Sequence, residues 1–132
     1  MDPREESPKR KVLLVEDDVF MLDLVSQELA GAGFHVIVAK NGAEAVAQFL
    51  QTKPDLILLD LLLPDQNGYD ALRTIRTHPG GADVKVMVLS NLSETTNIEE
   101  GKKLGVLDYL VKANHTLPEI VQKVQSVLGL ER

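Results

Sequence analysis

Five short aliphatic runs, each followed by a stretch with helical spacing, constrain this chain more than any other feature. Residues 12–15 and 56–59 are unbroken apolar runs, the pattern of strands buried on both faces. Phe34, Val36, Ile37 and Val38 make a second strand, and Val84, Val86, Met87, Val88 and Leu89 a fourth ending at Ser90. Residues 106–111 give a fifth that ends at Lys112. Strands buried on both sides and separated by helices predict a parallel sheet with helices on each face, an α/β fold of three layers.

The intervening segments carry helix signals. Met21, Leu24, Val25, Leu29 and Ala32 form one apolar stripe, closed by Gly31 and Gly33. Asn41 to Glu44 has capping-box spacing ahead of a face made by Ala45, Val46, Phe49 and Leu50, and Pro54 ends that helix. Asn67 is placed to cap a helix carrying Ala71, Leu72 and Ile75. A weaker helix spans 94–104. The last, 117–129, comes after a capping box at Thr116-Leu117-Pro118-Glu119 and sets Leu117, Ile120, Val121, Val124 and Leu128 on one face.

Composition removes several classes of function. The 132 residues suit one domain, read as 10–132 behind a polar, disordered tail over 1–9. With 4% aromatics the core is aliphatic. The absence of cysteine excludes disulfides, a thiol nucleophile and Cys-ligated zinc. Asp and Glu number 20 against 14 Lys and Arg, which opposes a surface that neutralises nucleic-acid phosphates. No apolar run reaches the roughly 18 residues of a membrane span. The charged N-terminus lacks the apolar stretch of a signal peptide. The expectation is a cytoplasmic domain without nucleic-acid or membrane partners.

In an open parallel sheet, ligands bind beyond the carboxyl ends of the strands. Those ends carry Glu16-Asp17-Asp18, Asp60, Ser90 and Lys112. Taken singly each has an ordinary structural role: an acid caps a helix, as Asp18 is placed to do, a serine bonds locally, and a lysine is solvated. Together they describe chemistry. Clustered carboxylates repel, and a hard divalent cation such as Mg²⁺ relieves the repulsion. A carboxylate beside such a cation, with a lysine and a hydroxyl opposite, suits an aspartate that accepts a phosphoryl group.

The same residues carry a resemblance. Val15-Glu16-Asp17-Asp18, residues 59–64 with Gly68, then Ser90, and Tyr109-Leu110-Val111-Lys112 resemble the receiver domain of bacterial response regulators, of a stand-alone, single-domain type. The resemblance implies a flavodoxin-like, doubly wound sheet of order 2-1-3-4-5 with five helices. It implies a switch in a two-component phosphorelay rather than an enzyme. Asp60 would take a phosphoryl group from the phosphohistidine of a sensor kinase or histidine phosphotransfer protein. Asp17, Asp60 and the Leu62 carbonyl would ligate Mg²⁺, and Glu16 would act through water. Lys112 would bind the phosphoryl group, with Ser90 and Tyr109 as switch residues. An output protein would meet the face made by 94–104, 106–111 and 117–129.

Some positions depart from that pattern. Asn91 and Leu92 come after the switch hydroxyl, where a small residue is usual. With Leu62 they are expected to narrow water's path and slow dephosphorylation. Ala113 replaces the usual proline after Lys112, which predicts a trans bond there. Gly101 weakens the helix over 94–104, read either as a poor helix or as an element loose enough to switch. Gly31-Ala32-Gly33 closes a helix instead of opening one after a strand, so it is no dinucleotide motif. His35, His78 and His115 lack ligand spacing. Two other functions compete with the switch. A receiver-like module that binds partners without phosphorylation is opposed by the complete acid, hydroxyl and lysine set. An Mg-dependent aspartyl-phosphate phosphohydrolase is opposed by Leu62, where that chemistry needs a second acid.

Overall fold

The structure, a computed structural model, describes residues 9–91 and 95–130. The expected disordered tail over 1–9 therefore lies outside the described residues, apart from Lys9, as do Leu92 and the start of the helix expected at 94. In chain order the elements are β1 (Lys11–Val15), α1 (Val19–Gly31), β2 (His35–Ala39), α2 (Gly42–Thr52) and β3 (Leu56–Leu59). They continue as α3 (Gly68–Arg76), β4 (Lys85–Ser90), α4 (Thr95–Lys103), β5 (Asp108–Val111) and α5 (Leu117–Val127). A single 3-10 turn, Lys112–Asn114, links β5 to α5. All strand pairs are parallel, in the order β2-β1-β3-β4-β5. This is the doubly wound flavodoxin-like sheet that the resemblance implied.

Strand parity builds two cores. Val12, Leu14, Leu56, Leu58, Met87 and Leu89 face one side, against Leu22, Val25 and Leu29 of α1 and Ile120, Val121 and Val124 of α5. Leu13, Val15, Ile57, Leu59, Val86 and Val88 face the other, against Ala45 and Phe49 of α2 and Tyr69, Leu72 and Ile75 of α3. The unbroken apolar runs are explained by this double burial.

The helix stripe in α1 differs from expectation. Leu22 is buried and Leu24 exposed. Seven residues separate Leu22 from Leu29, about 20° round the helix, whereas Leu24 lies about 140° away. Ala32, also expected on the stripe, is the exposed C-cap. Leu50 likewise faces outward from α2, about 100° round from Phe49.

Three strands start later than their apolar residues suggest, two of them because helix ends claim those residues first. The Phe34 amide donates to Leu29 O (3.1 Å) and that of Gly33 to Ala30 O (3.0 Å), with Gly33 at φ +97°. This left-handed closure folds Phe34 onto Leu29 and leaves β2 to begin at His35. At the end of α4, Val106 N–H reaches Gly101 O (2.8 Å) and Gly105 N–H reaches Lys102 O (3.0 Å), so β5 begins at Asp108. Val84 precedes β4, its carbonyl taken by Arg76 Nη1 (2.7 Å).

The capping box expected at Asn41 is offset. Asn41 Oδ1 accepts from the Glu44 amide (2.8 Å), but the Glu44 carboxylate accepts from the Lys40 backbone N–H (3.0 Å) and the Asn41 side-chain Nδ2 (3.1 Å) instead of from the Asn41 backbone N–H. The first amides of α2 are held from elsewhere. Asp65, in the loop after β3, accepts from Gly42 N–H (2.8 Å) and Ala43 N–H (3.0 Å). The box at Thr116 and Glu119 forms as read.

The Gly42 amide, with that of Ala43, holds the Asp65 carboxyl below its ordinary pKa. A depressed folded pKa stabilises above the unfolded value and is lost as pH falls through the folded one. Asp65→Asn should therefore be less stable than the parent at neutral pH in urea titrations. The difference should vanish below the carboxylate range, and a gap that persisted there would contradict the electrostatic origin.

Candidate functional site

The sheet register assembles the site. Val15 pairs with Leu59, so Glu16 and Asp60 leave neighbouring strands at one level. The ladder runs on past them, with Asp60 N–H donating to Val15 O (3.0 Å) and Glu16 N–H to Ala39 O (2.9 Å). Ser90, the last residue of β4, pairs with Val111, which puts Lys112 just beyond the edge of β5.

Lys112 lies two strands from Asp60 and three from Glu16. Two strand spacings are about 9.6 Å, a gap that only a long side chain crosses. Its ammonium donates to Asp60 Oδ2 (3.1 Å) and pairs with Glu16 Oε1. The second Glu16 oxygen accepts from Asp18 N–H (3.0 Å), so both oxygens of this carboxylate are engaged by the protein. Asp60 Oδ1 accepts from Leu62 N–H (3.3 Å). Asp18 serves as the helix cap, accepting from Phe20 N–H (2.9 Å) and Met21 N–H (3.4 Å).

Glu16 and Asp60 are 2% and 5% exposed, while Asp17 faces solvent. One ligand oxygen from each of the three lies within 4.8 Å of the others. One ammonium thus opposes three carboxylates, leaving about two negative charges uncompensated. Oxygen donors with that residual charge fit a hard divalent cation. Burial pushes the Glu16 carboxyl above its ordinary pKa, and the Asp60 charge adds to this; the bonds from Lys112 and Asp18 act against it. For Lys112, burial acts to lower the pKa, but the bonds and charges of Glu16 and Asp60 outweigh it and raise it.

The other expected site residues are positioned as described next to their strands. Ser90 is fully buried at the end of β4. The Leu62 side chain is 56% exposed, and Leu62 bridges to Asn67 across the loop after β3. Tyr109, on β5, packs against the apolar cluster beneath α3. No peptide bond among the described residues is cis, so the Lys112–Ala113 bond is trans, as its sequence suggested.

A model of the response regulator receiver domain matches residues 12–125. The chain belongs to that family. It is 32% identical over 107 residues to the DNA-binding response regulator MtrA of Mycobacterium tuberculosis, covering 81% of this chain and 46% of MtrA. The chain thus spans about half the length of the curated relatives it matches. The Vibrio cholerae chemotaxis protein CheY4 superposes with a TM-score of 0.85 at 27% identity, over 91% of this chain and 99% of CheY4. The receiver domain of HemR from Leptospira biflexa gives 0.84 at 29%, over 94% and 98%. Receiver domains are signalling switches that bind Mg²⁺ at an acidic pocket, and the cluster of Glu16, Asp17 and Asp60 in this receiver is compatible with one.

Sequence reading missed three residues that support the site. Asp65 ties the loop after β3 to α2. Arg76 donates to Gly81 O (2.9 Å), Val84 O (2.7 Å) and Leu104 O (3.1 Å), fastening two loops. Tyr69 donates its hydroxyl to Asn97 O (2.6 Å). Only the apolar stripe of α3 hinted at Tyr69, and nothing local marked the others.

The charge imbalance has a direct consequence in metal-free buffer. Asp17→Asn should stabilise the receiver by about 1 kcal/mol, the interaction of two unit charges about 4 Å apart in a water-like dielectric. Lys112→Met should destabilise it by about 3–5 kcal/mol, because two buried carboxylates lose their partner. Urea titration of both variants checks this, and a destabilised Asp17→Asn would contradict it.

Proposed function

We propose that this receiver is a phosphoacceptor switch in which Asp60 takes a phosphoryl group from a phosphohistidine and thereby changes the chain's affinity for a partner protein. The observation that carries the reading is the Lys112 ammonium bonded to Asp60 within a cluster of three carboxylates. One Asp60 oxygen forms the new O–P bond as the N–P bond to the donor imidazole breaks, and the imidazole leaves with the electron pair.

Each residue has a part in that transfer. Lys112, already fixed on Asp60, meets charge developing on the phosphoryl oxygens. Glu16 holds Lys112 in position, and its engaged oxygens suit a role toward a metal through water. Asp17, Asp60 and the Leu62 carbonyl would hold Mg²⁺, which neutralises phosphoryl charge when bound. Ser90 is the hydroxyl that closes on the phosphoryl group, and Tyr109 the ring that moves with it. Three carboxylates repel an incoming phosphoryl group, so transfer should require the cation.

The donor is a sensor histidine kinase or histidine phosphotransfer protein. The output surface is the face of α4, β5 and α5, where Ile98, Lys102, Val106, Leu107 and Tyr109 line a groove of about 270 Å³. A cytoplasmic site of action agrees with a chain in which no described helix is long and apolar enough to cross a membrane. The exposed Leu62 and Asn91 flank Asp60 and Ser90 in the chain. They support slow loss of the phosphoryl group by hindering in-line water.

Incubation with Mg²⁺ and acetyl phosphate, read by intact mass, tests the proposal. The parent should form a one-phosphoryl adduct that persists for minutes or longer, Asn91→Ala should shorten its life, and Asp60→Asn should form none. An adduct retained in Asp60→Asn would overturn the assignment. Rapid multiple turnover would make the chain a phosphohydrolase, and no adduct in the parent would make it a phosphorylation-independent module.

A further inference from the structure

Helix α4 is held in an unusual way. Among its described residues only Gly101 is buried, so an apolar face does not fix it. It is tied instead to α3 by polar contacts at three levels. The Tyr69 hydroxyl donates to Asn97 O (2.6 Å). Arg73 bridges Asp70 (2.6 Å) and Glu100 (2.7 Å). Arg76 Nε donates to Leu104 O (3.1 Å), just past the helix end. Residues 69, 73 and 76 share one stripe of α3, and Asn97 and Glu100 of α4 continue at the same spacing to Leu104 just beyond it.

Gly101 belongs to this seam. A Cβ there would stand 2.6 Å from the Tyr69 hydroxyl, so the glycine that weakens the helix is the opening that admits the ring. Tyr69 itself is buried, and its amide donates to Asn67 Oδ1 (2.8 Å). Burial, with Tyr109 and Glu100 nearby, pushes its hydroxyl up to about 12, so it remains a donor at neutral pH.

The seam begins at the acceptor. Gly68 N–H donates to Leu61 O (2.9 Å), and a side chain at Gly68 would collide with the Asp60 carbonyl. Tyr69 is therefore one residue beyond the point where α3 rests on the backbone of Asp60. We infer that Tyr69, as a positioning residue, latches α4 to α3, and that opening this latch is the conformational step phosphorylation of Asp60 drives. The inference rests on the acceptor reading above. Contacts of this kind are individually weak, which suits an element that must be held at rest and released by one modification.

Amide hydrogen exchange and beryllofluoride titration with Mg²⁺, followed by amide chemical shifts on the full chain, test it. In Tyr69→Phe, losing one hydrogen bond should speed exchange over 97–104 by about 3- to 10-fold, with β1, β3 and α5 unchanged. Linkage requires beryllofluoride to bind tighter by a similar factor, since less of its binding energy goes into opening the latch. Arg73→Gln, at an exposed position that leaves the core intact, should move both readouts the same way by about 2-fold. Unchanged α4 exchange in both variants, a rise spread evenly over the domain, or a local rise without tighter binding would each overturn the inference. A parent that binds no beryllofluoride would defeat the acceptor reading and the coupling with it, while the exchange comparison would still decide whether the latch exists.

Discussion

The arrangement turns on a charge imbalance. Parallel pairing of β1 with β3 brings Glu16 and Asp60 to one level, and chain order adds Asp17 beside them. Lys112 crosses from β5 to bind two of these three groups. In a sheet whose strands are buried on both faces, such a cluster is tolerable only at the strand ends, where water and an external cation reach it. The fold thus confines its charged chemistry to one edge and leaves that edge short of positive charge. A hard divalent cation is what such an edge lacks.

Most of the framework was legible because it depends on patterns that local geometry enforces. The apolar runs at 12–15 and 56–59 mark buried strands whatever surrounds them. Glu16, Asp60, Ser90 and Lys112 stand at the carboxyl ends of strands, where a parallel sheet places its chemistry. Errors arose where two signals competed for one residue. Phe34 and Val106 look like strand residues but are used to close α1 and α4. Leu24 fits an apolar stripe in the sequence, but the 3.6-residue period, anchored at Leu29, gives the buried position to Leu22. The roles of Asp65, Arg76 and Tyr69 depend on partners 5 to 28 residues away, which no local pattern encodes.

Gly101 shows how structure changes the meaning of a residue. In the sequence it is a cost of about 1 kcal/mol to helix formation. In the structure it makes room for Tyr69, and the weakness of α4 is matched by a polar seam from α3. The receiver is thereby divided. One part is the aliphatic sheet and α1, α2, α3 and α5, fixed by burial; the other is α4, fixed by a few directional bonds.

Thermal unfolding with added Mg²⁺ at constant ionic strength tests the charge imbalance most directly. A cation that binds only the folded site raises the Tm progressively with its concentration. The account predicts that rise for the parent and its loss in Asp17→Asn. A Tm indifferent to Mg²⁺, or an equal rise in both proteins, would contradict it.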